Sequence, residues 1–248
     1  MSNKAFNRDN LDTYLRELAK EFRKINGKKM PAEIILVGGA SVLINYGIRD
    51  MTNDMDAIIR ASSSMKEAIN RVGDRMNLPN GWINDDFVKT KSYSHNLILH
   101  SKYYRTFSNI VSIRTVTSEY LVAMKLMSLR DYKADMSDVI GIIKEEKDNG
   151  RNISLDDIKK ATIDLYGDYM ALPELSRDFI DNVFNAKDLL TMYKKVRVEE
   201  NTNKELLLEF EEDYPNVLKE DNLANIFKKP KRLIKQLKII WGLNLWTI

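Results

Sequence analysis

The residues that this sequence lacks already exclude several classes of protein. Its 248 residues include no cysteine, which removes disulfide bonds, thiol nucleophiles and cysteine-ligated zinc sites. It has only 2 histidines, His95 and His100, in a run that predicts a strand near residues 95–101, and no second ligand stands at metal spacing from them. These absences argue against a zinc enzyme and against a thiol-dependent one.

Long apolar segments are absent as well. No run approaches the roughly 18 apolar residues of a membrane span. The N-terminal stretch MSNKAFNRDN lacks the apolar core of a signal peptide. A chain of this length can bury a sizeable core, either as one large domain or as two modest ones. We therefore expect a soluble, cytoplasmic protein with no membrane partner.

What the sequence does contain is a two-glycine turn between a predicted strand, residues 34–37, and a predicted helix, residues 40–44. Such a turn aims backbone N–H groups and the positive end of a helix dipole at an anion. Gly38 and Gly39 are therefore candidates to hold phosphates. Ser41 could add a hydroxyl contact or could simply pack the helix on the sheet. The turn is neither GxGxxG nor GxxxxGK[ST], which disfavours dinucleotide and Walker-type sites.

Two aspartates follow the turn and lead into another apolar run. On a strand, Asp54 and Asp56 would point to the same face, so two carboxylates would share one small volume. Like charges at contact distance resist joint ionisation unless a positive charge lies between them. Magnesium suits such a pair, because it is usually held by one or two carboxylates together with water and substrate phosphates. The simpler alternative is that Asp54 turns the chain and Asp56 is only solvated.

The segment VGGASVLINYGIRDMTNDMDAII, residues 37–59, resembles the signature of the nucleotidyltransferase superfamily that includes DNA polymerase beta. More narrowly, it is similar to the branch that contains the AbiEii and MenT toxins, whose members tend to show an Arg and a Thr just ahead of the paired aspartates. Arg49 and Thr52 stand at those places. The resemblance implies that Asp54 and Asp56 bind Mg²⁺ or Mn²⁺ and that the substrate is a nucleoside triphosphate (NTP).

A second block, TSEYLVAMKLMSLRDYKADMSDVIGII at residues 117–143, is similar to a later part of the same family. There a helix carrying a lysine precedes a helix that opens with two spaced aspartates, and Lys125, Asp135 and Asp138 match. The resemblance implies that Lys125 meets the triphosphate, with Asp135 and Asp138 positioning it or the acceptor. From the residues alone, a snorkelling lysine, a helix N-cap at Asp135 and a favourable first-turn charge at Asp138 explain the same pattern.

The sequence departs from the polymerase-beta pattern in one respect. Those enzymes usually add a third carboxylate from a neighbouring strand, and the predicted strand NIVSIRTV, residues 109–116, carries none. Asp85, Asp86 and Glu119 are the candidates to replace it. The sequence does not choose among them.

The rest of the chain is predicted to be helical. A charged turn at residues 147–152 suggests a boundary between a catalytic domain, residues 1–148, and a helical C-terminal domain, residues 149–248. The net charge of +3 hides a basic tail, residues 222–248, which has no acidic residue. This tail is either a solvated helix face or a phosphate-tracking patch for RNA. Its basic residues are Lys228, Lys229, Lys231, Arg232, Lys235 and Lys238.

Together these features predict an α/β (α+β) fold, with a nucleotidyltransferase-like mixed sheet, flanking helices and an all-helical C-terminal domain. The expected reaction transfers a nucleoside monophosphate from an NTP to an acceptor hydroxyl on RNA, tRNA or protein. A toxin-like role would add a cognate antitoxin as partner. The alternative is a catalytically inactive module with the same fold that binds nucleic acid or a protein partner.

Overall fold

The computed structural model describes residues 5–28 and 30–213. Contacts group the chain into one compact unit up to Glu200 and a second unit that begins at Asn201. The basic tail at residues 222–248 lies outside the described residues, so its role in RNA binding stays a prediction. Within the described part of the chain, no helix has the length and apolar character needed to cross a lipid bilayer.

Five strands form one mixed sheet, in the order β3-β2-β1-β5-β4. β1 pairs antiparallel with β2 and parallel with β5, and the outer pairs are β2 with β3 (parallel) and β5 with β4 (antiparallel). The mixed sheet expected from the sequence is therefore confirmed. The strands are β1 Ala32–Leu36, β2 Met55–Arg60, β3 Ile83–Asn84, β4 Ser101–Phe107 and β5 Val111–Val116.

Helices cover both faces of this sheet. The central strand β1 is buried on both sides: Ile35 joins one hydrophobic core, while Ile34 and Leu36 join another. The described helices are α1 Arg8–Asn26, α2 Gly38–Asn45, α3 Ser64–Met76, α4 Ser118–Ser128, α5 Asp135–Asp148, α6 Leu155–Tyr166, α7 Glu174–Asn185 and α8 Leu189–Asp213.

The N-terminal helix α1 forms for reasons that its sequence shows. Asn7 and Asn10 make a capping box, and Gly27, at φ +73°, ends the helix in a conformation that favours glycine. Its apolar stripe, with Leu15 and Leu18, packs in the core that also contains α3. This layer supports the sheet on the face away from Ile35.

The opposite layer contains α4, α5, α6 and α7. Val122, Ile140, Ile158 and Ile180, one from each helix, belong to the same buried core as Ile35. This core includes residues from both sides of position 148, where the sequence suggested a boundary. The division into domains 1–148 and 149–248 stays a prediction.

Two local expectations differ from the structure. Residues 95–98 form a 3₁₀ turn rather than a strand, because the Ser94 hydroxyl accepts from the Asn96 N–H and donates to the Leu165 carbonyl. Asp135 is the first residue of α5 and not its N-cap, which is Ala134. Its carboxylate makes side-chain contacts instead of capping the helix.

Candidate active site

The glycine turn lies against the second strand at the place where the carboxylates begin. Helix α2 starts at Gly38, directly after β1, and the Val37 N–H donates to the Asp56 carbonyl at 3.0 Å. Gly38 has φ +53°, a conformation in which a side chain is strained. A Cβ added there would lie 3.6 Å from Asp56 Oδ2. The turn and the carboxylate of Asp56 are therefore immediate neighbours.

Gly39 is needed for space. A Cβ at this position would lie 2.6 Å from Thr52 Oγ1 and 3.0 Å from Arg49 Nη1. Thr52 is held in place, because its N–H and carbonyl both bond to Phe6 at 2.8 Å and its hydroxyl donates to the Asp54 carbonyl at 3.1 Å. Arg49 and Thr52, the two residues that the family resemblance identified ahead of the aspartates, thus pack directly on the turn.

Ser41 packs inside the protein near the start of α2. The residue is fully buried, and its hydroxyl accepts a 3.3 Å hydrogen bond from Asn45 one turn later in α2. Phosphate contacts at the turn would therefore come first from backbone N–H groups at the start of α2. A contact from the Ser41 hydroxyl stays a prediction.

Asp54 and Asp56 differ in burial but share a lack of partners. Asp54 is exposed and Asp56 half-buried, and neither carboxylate makes a hydrogen bond or ion pair with any of residues 5–28 and 30–213. Burial raises the pKa of Asp56, and the negative charge of Asp54 raises it further. A divalent cation between the two groups would relieve this repulsion, so the pair fits Mg²⁺ or Mn²⁺.

A second group of charges, which we call the buried ion cluster, consists of Lys125, Asp135, Asp138, Arg49 and Arg130. Lys125 is 3 % exposed, and its ammonium group contacts Asp135 Oδ1 at 3.0 Å and Asp138 Oδ2 at 2.7 Å. Arg49 donates to both oxygens of Asp138, at 2.8 and 2.6 Å. Arg130 Nε donates to Asp135 Oδ2 at 2.9 Å. The lysine and aspartates matched by the family pattern therefore do meet in space.

Two helices build this cluster. Asp135 and Asp138 are three residues apart at the start of α5, so they share one face of that helix. Lys125 lies on α4, which ends at Leu129 in a left-handed turn with φ 35° and ψ 57°. This turn sends the chain back, and the Arg130 N–H donates to Asp135 at 3.2 Å. Burial by itself would raise the pKa of Asp135, but the charges of Lys125 and Arg130 hold it well below its usual range.

The cluster touches the glycine turn through one residue. Arg49 binds Asp138 on one side and lies against Gly39 on the other. The cluster therefore lies against the turn at Arg49. Its charges also act on the carboxylates of Asp54 and Asp56 without direct contact. Lys125, Arg130 and Lys133 all lower the pKa of Asp56, against burial and Asp54.

Glu200 is a member of this region that sequence reasoning missed. Its Oε1 accepts from the N–H groups of Met136 at 2.8 Å and Ser137 at 3.2 Å, so it caps the start of α5. The residue is 3 % exposed, and its Oε2 has no hydrogen-bond partner among residues 5–28 and 30–213. Because Glu200 follows Met136 by 64 residues, no local motif could have identified it.

A third carboxylate of the polymerase-beta pattern, at Asp85, Asp86 or Glu119, stays a prediction. Asn84 on β3 lies beside Asp56 in the sheet register. Asp86 is exposed and pairs with Lys89 at 2.7 Å, and Glu119 lies in the first turn of α4. Within the described chain no group of three or more His, Cys, Asp or Glu residues is arranged to hold a metal ion. A cation here would rely on two carboxylates, water and phosphate oxygens.

Comparison with known proteins agrees with this geometry. Residues 13–165 match the family described as "Nucleotidyltransferase of unknown function (DUF6036)". Since the match spans more than half of the chain, the protein belongs to this family, and the superfamily predicted from the motifs is confirmed. No curated protein and no solved structure matches the chain. The narrower likeness to the AbiEii and MenT toxins stays a prediction.

Proposed function

We propose, from its membership of a nucleotidyltransferase family, that the protein transfers a nucleoside monophosphate from an NTP to an acceptor hydroxyl in a Mg²⁺-dependent reaction. One observation carries the proposal: two carboxylates that have no cationic partner among the described residues stand beside a glycine turn at the start of a helix. The turn suits phosphate and the carboxylates suit a divalent cation. A metal-bound polyphosphate needs both.

In the proposed reaction, the acceptor oxygen forms a bond to the α-phosphorus and pyrophosphate leaves with the bridging oxygen. The hydroxyl proton passes to solvent. Asp54 and Asp56 would hold Mg²⁺ or Mn²⁺, which supplies charge neutralisation and lowers the pKa of a bound hydroxyl. The N–H groups at Gly38 and Gly39 orient the phosphates, and the positive charges of the buried ion cluster favour the negative charge that develops there.

Thr52, Arg49 and Asp138 would hold other residues of the site in position. Thr52 and Arg49 keep the turn and the aspartates together, since both pack on Gly39. Asp138 holds Arg49 and Lys125 in place. The acceptor proposed is an RNA, a tRNA or a protein. A toxin-like protein would also have a cognate antitoxin, and growth arrest on expression would test that part.

The test is a transfer assay with NTPs labelled at the α-phosphate, in Mg²⁺ or Mn²⁺, with total RNA or total protein as acceptor. We expect label in one acceptor fraction and release of pyrophosphate. The double variant Asp54→Asn, Asp56→Asn should transfer no label. Transfer of γ-label instead would indicate a kinase and overturn the proposal. Binding of RNA or protein without any transfer would favour the inactive module.

A further inference from the structure

We infer that Lys133, an exposed lysine in the loop between α4 and α5, is a binding residue for the β- and γ-phosphates of the incoming NTP. The inference rests on the proposed function and adds a residue to that site. It also separates two roles: Lys133 contacts phosphate, whereas the buried Lys125 positions its neighbours.

Lys125 itself is not placed to bind phosphate. A lysine that binds phosphate must present its ammonium group to solvent or to the ligand. Lys125 is 3 % exposed, and its ammonium group already contacts Asp135 and Asp138. Moving it onto a phosphate would leave two buried carboxylates with fewer cations, which is strongly unfavourable. Its geometry is that of a residue that holds the cluster together.

Residues 129–134 form the loop that connects α4, which carries Lys125, to α5. The left-handed turn at Leu129 and the two bonds from Arg130 to Asp135 tie the start of this loop to the buried ion cluster. The same cluster reaches the glycine turn through Asp138 and Arg49. A continuous series of contacts therefore links the start of the loop to the phosphate-binding turn.

The buried ion cluster and the loop together are positively charged. The buried ion cluster has three cations and two carboxylates, so it retains one net positive charge. Arg130 belongs to both the cluster and the loop, and the loop adds the charges of Asp131 and Lys133. Lys133 is exposed, and its ammonium group makes no ion pair with any residue in the described ranges. Unlike Lys125 and Arg130, it is available to an anionic ligand.

Lys133 also acts electrostatically on the carboxylate pair. Burial and the charge of Asp54 raise the pKa of Asp56, and Lys133 is the largest of the positive charges that oppose them, ahead of Arg130 and Lys125. An exposed cation that acts on this carboxylate pair, in a loop linked by contacts to a turn that suits phosphate, fits the outer phosphates of a triphosphate. A nucleoside monophosphate would not reach it in the same way.

The experiment measures binding by calorimetry in Mg²⁺, using an NTP, the corresponding monophosphate and inorganic tripolyphosphate. Lys133→Met should weaken NTP and tripolyphosphate binding about 10-fold to 100-fold, the scale of a charge-assisted hydrogen bond. Monophosphate binding should be unchanged, and Lys133→Arg should recover most of the NTP affinity. The matched control is Lys66→Met, at an exposed lysine of α3 on the other layer of the sheet.

The outcomes separate this inference from the proposed function. If the wild type binds and transfers nucleotide and Lys133→Met does the same with equal affinity, the inference is wrong and the proposed function stands. If Lys66→Met weakens NTP binding as much as Lys133→Met, the effect is one of overall charge and the inference is again wrong. If the wild type binds neither NTP nor tripolyphosphate, both are overturned. Thermal midpoints of all variants check that folding is intact.

Discussion

Two pairs of aspartates lie in one small region of this protein, and they are in opposite electrostatic states. Asp135 and Asp138 are buried, and lysine and arginine side chains bind their oxygens. Asp54 and Asp56 are more exposed and have no cationic partner in the described part of the chain. Both pairs match a family motif, yet only the second can accept a cation from solution.

The difference shows how similar residues can serve structure or ligand binding. A buried carboxylate must be neutralised within the protein, because an unpaired charge in the interior is very costly. A carboxylate at the end of a strand, half in solvent, tolerates the lack of a partner. Asp135 and Asp138, which we call the locked pair, thus belong to the internal framework of the site. Asp54 and Asp56, which we call the open pair, are the carboxylates to which a metal ion with its phosphate ligands can bind.

The sharpest way to break this comparison is to make the same substitution in each pair. Asp138→Asn leaves Lys125 and Arg49 with less negative charge in the interior, so we expect a loss of about 3–5 kcal/mol in the free energy of unfolding. Asp54→Asn removes an exposed, unpaired carboxylate and should change it by less than about 0.5 kcal/mol. Urea unfolding measures both. Equal losses would mean that the two pairs do not differ.

The next largest effect is expected at Glu200, which caps the helix of the locked pair. Burial raises the pKa of Glu200 from about 4.5 to about 7. The folded state therefore holds a proton that the unfolded state releases between these pH values, and stability from this group is lost as pH rises through that window. Glu200→Gln keeps an acceptor oxygen without the titration.

The measurement is urea unfolding of the wild type and Glu200→Gln at several values between pH 5 and 8. The variant should gain relative to the wild type as pH rises, by up to about 3 kcal/mol at pH 8. A constant difference across this range would show that Glu200 does not titrate there.

A smaller loss is expected from Gly39→Ala, which tests the contact of the glycine turn with Thr52 and with Arg49, the arginine that binds Asp138. The added Cβ would lie 2.6 Å from Thr52 Oγ1 and 3.0 Å from Arg49 Nη1. Overpacking of this kind should reduce the free energy of unfolding by about 1–3 kcal/mol. Combining it with Thr52→Ala should recover part of the loss. If the two losses simply add, the residues are not coupled and the turn has room for a side chain.

The smallest change in stability is expected for the open pair. Asp54→Asn with Asp56→Asn removes like charges that repel each other, so the thermal midpoint should stay the same or rise, by the equivalent of about 1 kcal/mol at most. The stabilisation of the wild type by Mg²⁺ and NTP should disappear in the same variant. A double variant that is stabilised by metal and nucleotide as well as the wild type would place the ligand site elsewhere.

Much of the site was predictable because its signals are local. The glycine turn lies between adjacent elements, and Asp54 and Asp56 are one residue apart on the chain. Strand periodicity predicts that both carboxylates share one face, although β2 begins at Met55 and Asp54 lies just before it. The sequence also identified Lys125, Asp135 and Asp138 as a set that matches the family pattern. It did not predict that Lys125 is buried in contact with both aspartates.

Expectations failed where short-range rules compete with contacts made by distant residues. The run at residues 95–98 has strand-like composition, but the Ser94 hydroxyl binds the distant Leu165 carbonyl and the backbone forms a 3₁₀ turn. Asp135 is of a residue type that is common at helix N-caps, but Lys125 and Arg130 bind its carboxylate. In both places, side-chain partners from elsewhere decided the local structure.

By itself, the sequence determined the class of fold, the glycine turn, the close spacing of Asp54 and Asp56 and the absence of cysteine chemistry, since composition and short periodicities specify these directly. Only the tertiary structure decided which aspartates are neutralised and which are open. Arg49 reaches Asp138 across 89 positions of sequence, and Glu200 reaches α5 across 64. The protonation and pairing of a carboxylate depend on burial and on such distant charges, because electrostatic energy in a protein follows distance in space and exposure to water, not separation along the chain.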